Sequence, residues 1–331
     1  MLTDEKILIT GPAGQIAFPL AEYLARDNEV WGIARWTEPD SRERVEEAGV
    51  VTRTCDLAAG EFGDLPDDFT FVLHLAAFQG GGLDYDHAIC VNAEGTGLLL
   101  AHCRRAKAAL VMSTASIYKP NDDPWHPYHE TDPLGDVNAV HAPTYSMSKI
   151  AEEAVARFCA RAYGLPVIVA RMNAAYGANG GLPAYHLDGV VARQTIYLRW
   201  DPAPYSPIHQ DDINEQTEAL LGAASVPATI VNWAGDEPVT AQEWCAYFGE
   251  LTGLRPDVVT REIPGTQRGI VLTSEARRAL TGPCKVEWRD GMRRMFEARY
   301  PDGVDAGASV PGAAARLLSA YETVTEGTEA S

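Results

Sequence analysis

Thr10-Gly11-Pro12-Ala13-Gly14-Gln15-Ile16-Ala17 follows directly on the apolar run 6–10. Gly11 lets the chain turn tightly, Gly14 lets backbone amides approach a pyrophosphate, and Ala17 is small enough for close helix–strand packing. The helix N-terminus behind the turn presents amides and a positive dipole end to an anion. A GxxGxxA run also occurs at ordinary strand–helix turns. What gives it weight is its place at the first strand–helix junction of the chain. Pro19 comes early enough in the helix to be tolerated.

The alternation continues outward from this turn. Strand-like runs at 30–34, 50–55, 71–75, 109–113 and 167–172 are separated by helical patterns at 15–27, 39–48, 86–106 and 144–163. Strands this apolar, separated by helices, predict a parallel sheet covered on both faces, the α/β doubly wound (Rossmann) architecture. Past residue 173 the run Gly-Ala-Asn-Gly-Gly at 177–181 and the prolines Pro183, Pro202, Pro204 and Pro207 break the periodicity. Helices are expected at 211–223, 240–251 and 274–280, and a strand at 228–233. The expected division is a dinucleotide-binding domain over 1–173 and a smaller substrate-binding lobe over 174–331, with some segments returning to the first. The Gly-, Ala-, Ser-, Thr- and Glu-rich tail after Pro301 is expected to fray.

The 331 residues can bury a sizeable core. Against 27 basic residues stand 46 acidic ones, a formal charge of −19, which disfavours nucleic acid and anionic membrane surfaces as partners. No apolar run approaches the roughly 20 residues needed to span a bilayer, and the N-terminus lacks a signal-peptide pattern. The six cysteines are scattered without CxxC spacing, and no histidine shows metal-ligand spacing. Reduced thiols, no metal and a cytoplasmic location are expected.

Tyr145-Ser146-Met147-Ser148-Lys149 places a phenol and an amine four residues apart on one helix face. Phenols near pKa 10 are poor acid–base catalysts at neutral pH, and a nearby ammonium favours the phenolate. The same lysine is expected to reach a coenzyme ribose hydroxyl. At the end of the fifth strand, Thr114 supplies a hydroxyl to hold a substrate carbonyl oxygen, with Ser113 and Ser116 as alternates. Arg35 follows the second strand, where an NAD-selective site usually carries an acidic residue. A guanidinium there pairs with a 2′-phosphate, so NADP(H) is the expected coenzyme, with NAD the alternative; a solvated surface arginine is the plain reading. Asp56, after the third strand, is placed to accept from the adenine amino group or is simply a loop carboxylate. The loop from Phe78 and Gln79 through Gly80–Gly82 to Tyr85, with His186, Trp200 and His209, forms a set of substrate-facing candidates, although its aromatics serve packing equally well.

In this order TGPAGQIA, Asp56-Leu57, His74-Leu75-Ala76-Ala77, Asn92-Ala93-Glu94-Gly95-Thr96, MSTASIY at 112–118, YSMSK at 145–149, Arg171-Met172-Asn173-Ala174-Ala175-Tyr176-Gly177 and the stretch from Ser206 to Asp212 resemble the extended short-chain dehydrogenase/reductases. That family includes nucleotide-sugar epimerases and dehydratases. The resemblance implies Thr114, Tyr145 and Lys149 as the catalytic set. It implies that Gly11, Gly14, Gln15, Ile16, Ala17, Arg35, Asp56, Leu57, Ala76, Ala77, Tyr145, Lys149 and Asn173 contact the dinucleotide. Phe78, Gln79, Thr114, Tyr176, His186 and His209 are left to face the substrate, and Asn92 and Asp212 to act structurally. A helix-packed homodimer is also implied.

Two departures narrow the expected reaction. Ala115-Ser116 follows Thr114 where family dehydratases carry an acid, which argues against dehydration. Tyr205-Ser206-Pro207 stands where nucleotide-sugar enzymes carry an arginine for the diphosphate, leaving Arg193 and Arg199 as other phosphate ligands. The first expectation is therefore an NADP(H)-dependent oxidoreductase interconverting a carbonyl and a secondary alcohol on a small molecule. The alternative is a nucleotide-sugar epimerase working by transient oxidation, and a third is a non-catalytic NADP(H) sensor.

Overall fold

The computed structural model describes residues 2–135, 137 and 142–304. Seven strands, β1 (Lys6–Thr10), β2 (Glu29–Ala34), β3 (Val51–Thr54), β4 (Phe71–His74), β5 (Ala108–Thr114), β6 (Val167–Met172) and β7 (Thr229–Trp233), form one sheet. Every pairing is parallel, in the order 3-2-1-4-5-6-7. The order reverses between β1 and β4, and in a doubly wound sheet a ligand crevice opens at the carboxyl ends of such a pair. This is a Rossmann-type α/β fold.

Its helices are α1 (Ala17–Leu24), α2 (Ser41–Glu47), α3 (Tyr85–Ile89), α4 (Gly95–His102), α5 (Tyr145–Tyr163), α6 (Leu182–Val191), α7 (Gln210–Gly222), α8 (Ala241–Thr252), α9 (Glu275–Thr281) and α10 (Trp288–Arg299). Alternate residues of each strand feed opposite faces. Ile7 and Ile9 pack with Leu20 of α1 and Ile213 of α7, whereas Leu8 packs with Leu99 of α4 and Ala156 of α5. Strand β6 is buried at every position, as a central strand covered on both sides must be.

A separate core joins α6, α8 and α10 through Leu187, Val190, Trp244, Phe248, Met292 and Met295. Helices α6 and α10 have no counterpart among the segments expected from sequence. Pro183 and the preceding glycines mask the start of α6, and eight of its ten residues are buried, which leaves no polar face to give a period. Between α3 and α4 the chain winds as a π-helix over Cys90–Glu94. Residues from 305 onward, including the tail expected to fray, lie outside the described residues. Among the described residues no helix is long and apolar enough to cross a membrane.

Candidate active site

A cleft of about 830 Å³ opens at the carboxyl ends of β1, β2 and β4. Its floor is the turn after β1. Gly11 takes φ +63°, and a Cβ there would come within 3.2 Å of Ala76 Cα and Cβ. A Cβ on Gly14 would lie 3.1 Å from the Gly11 carbonyl oxygen. These two positions leave room for backbone only, a cradle a side chain would fill. Ile16 at the N-cap of α1 has no side-chain oxygen to satisfy the first amides of the helix, so those amides suit a phosphate. The residues present therefore fit a dinucleotide.

The loop beyond β6 crosses this floor. Asn179 Nδ2 donates to the Gln15 carbonyl at 2.8 Å, and Gln15 Nε2 donates to the Ala175 carbonyl at 3.3 Å. The wall after β4 is fixed by Asn92 from the π-helical turn, which accepts from Phe78 N at 2.7 Å and donates to the Phe78 carbonyl at 3.0 Å. A π-turn that aims a side chain at a neighbouring loop is a frequent feature beside binding sites.

Of the residues singled out in the sequence, Gly11, Gly14, Gln15, Ile16, Ala17, Arg35, Asp56, Leu57, Ala76, Ala77, Phe78, Gln79 and Tyr145 line this cleft together. Asp56 Oδ1 also accepts from Ala58 N at 3.0 Å, closing the loop after β3. Arg35 is exposed at the rim, and Arg44 of α2 lies beside it. The Arg44 guanidinium is held by the Ala13 carbonyl at 3.0 Å and stacks 4.3 Å over the Phe18 ring. Sequence reasoning passed over Arg44, as it did Trp36 and Ser41 on the same rim; the signal was the basic Ser41-Arg42-Glu43-Arg44 run at the start of the helix after Arg35.

Other singled-out residues are not brought to the cleft. Tyr176 is buried with its hydroxyl 3.5 Å from the Trp288 carbonyl, and its ring packs on His209 at 5.2 Å. Burial pushes the Tyr176 phenol up and the His209 imidazole down, consistent with side chains that bind α10 to the sheet. His186 sits in the second core, where its Nδ1 accepts from Trp244 Nε1 at 2.9 Å, and Trp200 donates to Thr266 at 2.8 Å. Asn173 donates to the Ile270 carbonyl at 2.7 Å. Asp212 accepts from Lys285 N and Val286 N at 2.7 and 3.2 Å, a structural cap.

Tyr145 opens α5 at the edge of the cleft, next to the end of β5. Thr114 is the last residue of β5, and its hydroxyl lies 2.8 Å from Ser116 Oγ and accepts from Ser116 N at 3.2 Å. Lys149 lies behind the cleft wall and not among its lining residues. It is 1% exposed, donates to the carbonyl of Met112, a residue of the cleft wall, at 2.7 Å, and forms an ion pair with Glu152. Among the described residues no group of three or more His, Cys, Asp or Glu is arranged to hold a metal ion.

The family model for NAD dependent epimerases/dehydratases matches residues 7–195. No curated protein matches the chain in sequence. Among solved structures, UDP-glucose 4-epimerase of Thermus thermophilus in complex with NAD is 25% identical, with a TM-score of 0.74 over 89% of this chain and 98% of that one. UDP-glucuronic acid 4-epimerase of Bacillus cereus in complex with UDP-glucuronic acid and NAD is 19% identical, with a TM-score of 0.74 over 89% and 99%. dTDP-glucose 4,6-dehydratase of Bacillus anthracis in complex with NAD is 18% identical, with a TM-score of 0.76 over 90% and 97%.

Proposed function

The chain belongs to the NAD dependent epimerase/dehydratase family, and from that membership we propose that it inverts a secondary-alcohol centre of a nucleotide sugar by transient oxidation and re-reduction. It is an NAD-dependent enzyme of the extended short-chain dehydrogenase/reductase type and takes a nicotinamide dinucleotide. The observation that carries the reading is the meeting of Tyr145, at the cleft edge, with a phosphate cradle built from Gly11 and Gly14. When bound, the nicotinamide supplies the hydride acceptor and donor. Tyr145 removes the hydroxyl proton as the carbonyl forms and returns it on re-reduction, the ordinary work of a positioned acid–base group. Lys149 behind it provides the positive field that favours phenolate, and Thr114 holds the substrate oxygen. Residues 1–173 serve the coenzyme, and those from 174 onward supply the substrate lobe, apart from α7 and β7, which return to the sheet.

A net oxidoreductase using NADP(H) is the second reading. Arg35 and Arg44 on the adenosine rim favour a 2′-phosphate, and Tyr205 stands where a diphosphate-binding arginine is expected. Leu98, Phe158 and Tyr163, exposed on α4 and α5, support the homodimer, and the six free cysteines support a cytoplasmic location.

The test is incubation with UDP-glucose and UDP-glucuronic acid plus NAD or NADP, with products followed by NMR. A 4-epimer appearing without accumulation of reduced coenzyme is the expected result. Stoichiometric reduced coenzyme with a ketone product selects the second reading. Tyr145→Phe is expected to bind coenzyme normally and lose turnover by about a hundredfold or more. A variant that still turned over would remove Tyr145 from the chemistry.

A further inference from the structure

Beneath the cleft, the amine of Lys149 is shut off from water at 1% exposure, and Glu152, one turn further along α5, is 0% exposed. Glu152 Oε2 faces the Lys149 ammonium and has no other polar partner. Its second oxygen, Oε1, lies 3.4 Å from His74 Nε2 on β4 and 3.5 Å from Thr96 Oγ1 on α4.

The donors around that histidine assign its tautomer. Thr10 Oγ1 accepts from Leu75 N at 3.0 Å and Ala76 N at 2.9 Å, so its single proton goes to His74 Nδ1 at 2.8 Å. Nδ1 is then the acceptor and Nε2 carries the hydrogen. Nε2–H points towards Thr96 Oγ1 at 2.7 Å, whose own proton goes to the Asn92 carbonyl at 2.5 Å. Glu152 therefore meets the Lys149 amine on one oxygen and has the His74 N–H near the other.

We propose that Glu152 is a positioning residue for the Tyr145–Lys149 pair: the buried Glu152 carboxylate supplies the counter-charge that keeps Lys149 an ammonium inside the fold and pins it to the Met112 carbonyl. An ammonium removed from water without a partner is driven towards the neutral amine, and a neutral amine gives Tyr145 no field. The titratable group facing the pair from another element is His74 on β4; Thr96 and the Met112 carbonyl complete the polar surroundings, and Tyr145 lies one turn earlier on α5.

This inference rests on Tyr145 and Lys149 acting together, yet its test reads the lysine's charge alone, so either can fail without the other. The chain holds only five lysines, Lys6, Lys107, Lys119, Lys149 and Lys285, so lysine-selective 15N labelling gives a spectrum simple enough to assign with Lys149→Met. At neutral pH the wild type is expected to show an ammonium signal for Lys149. Glu152→Gln is expected to lose it or replace it with a neutral-amine shift while still binding NAD, and Glu152→Asp to restore it. An ammonium signal unchanged in E152Q overturns the proposal. Should E152Q not fold, the wild-type 13C shift of the Glu152 carboxyl decides: an ionised carboxylate at pH 7 is expected, and a protonated one overturns the ion pair.

Discussion

At the residue scale, the cleft rim beyond β2 sets two guanidiniums among carboxylates. Glu38 and Asp40 line the same rim as Arg35 and Arg44, and ribose hydroxyls and a 2′-phosphate would recruit different members of this group. Arg44 is already held by a carbonyl and an aromatic face, whereas Arg35 has no side-chain partner among the described residues. Arg35 is thus the more available of the two guanidiniums. Arg35→Asp is expected to lower NADPH affinity relative to NADH by about tenfold or more. Titration of both coenzymes by fluorescence reads this ratio, and an unchanged ratio would move the selectivity elsewhere on the rim.

At the scale of elements, helices α6 and α8 are joined by a buried polar contact that is sensitive to acid. His186 of α6 is 3% exposed and accepts from Trp244 of α8, and burial pushes its imidazole down to about 4 from the usual 6.5. The unfolded chain takes up this proton first as pH falls. The stability it contributes is therefore complete above about 6.5 and is lost on descending through about 4. A loss of about 3 kcal/mol between pH 7 and pH 4 is expected from this group. His186→Gln keeps an acceptor for Trp244 without the titration and should flatten this part of the profile. Urea unfolding at several pH values would reveal it, and parallel slopes in both proteins would discharge His186 from the effect.

At the scale of the molecule, the two cores are interleaved. Strand β7 leaves the C-terminal half to pair with β6, and α7 packs against the sheet beside α1. Asn179 and Gln210 reach back to the Gln15 and Ile16 carbonyls in the turn after β1 at 2.8 and 3.2 Å. A ligand that orders this loop therefore acts on both halves. A single unfolding transition is expected, shifted upward as one unit by coenzyme. At a hundred times the dissociation constant the gain is about 2.7 kcal/mol. Scanning calorimetry with NADH and NADPH checks it; two transitions, of which only one moves, would show that the halves unfold separately.

The β1 turn, the seven parallel strands and helix α5 were legible in the sequence because local rules govern them. Glycine conformation, unbroken apolar runs and 3.6-residue periodicity each act within a few positions. The backbone-only turn at Gly11 and Gly14 and the position of Tyr145 at the cleft edge followed, since those elements fix them. Helices α6 and α10 were not legible: α6, buried nearly all round, gives no periodic signal, and only its neighbours make it a helix in that place. The placing of Tyr176, His186 and His209 away from this cleft, and the meeting of Glu152 with Lys149 and His74, belong to the tertiary structure alone. Which way a polar side chain turns depends on donors and acceptors supplied by strands and helices tens of residues away.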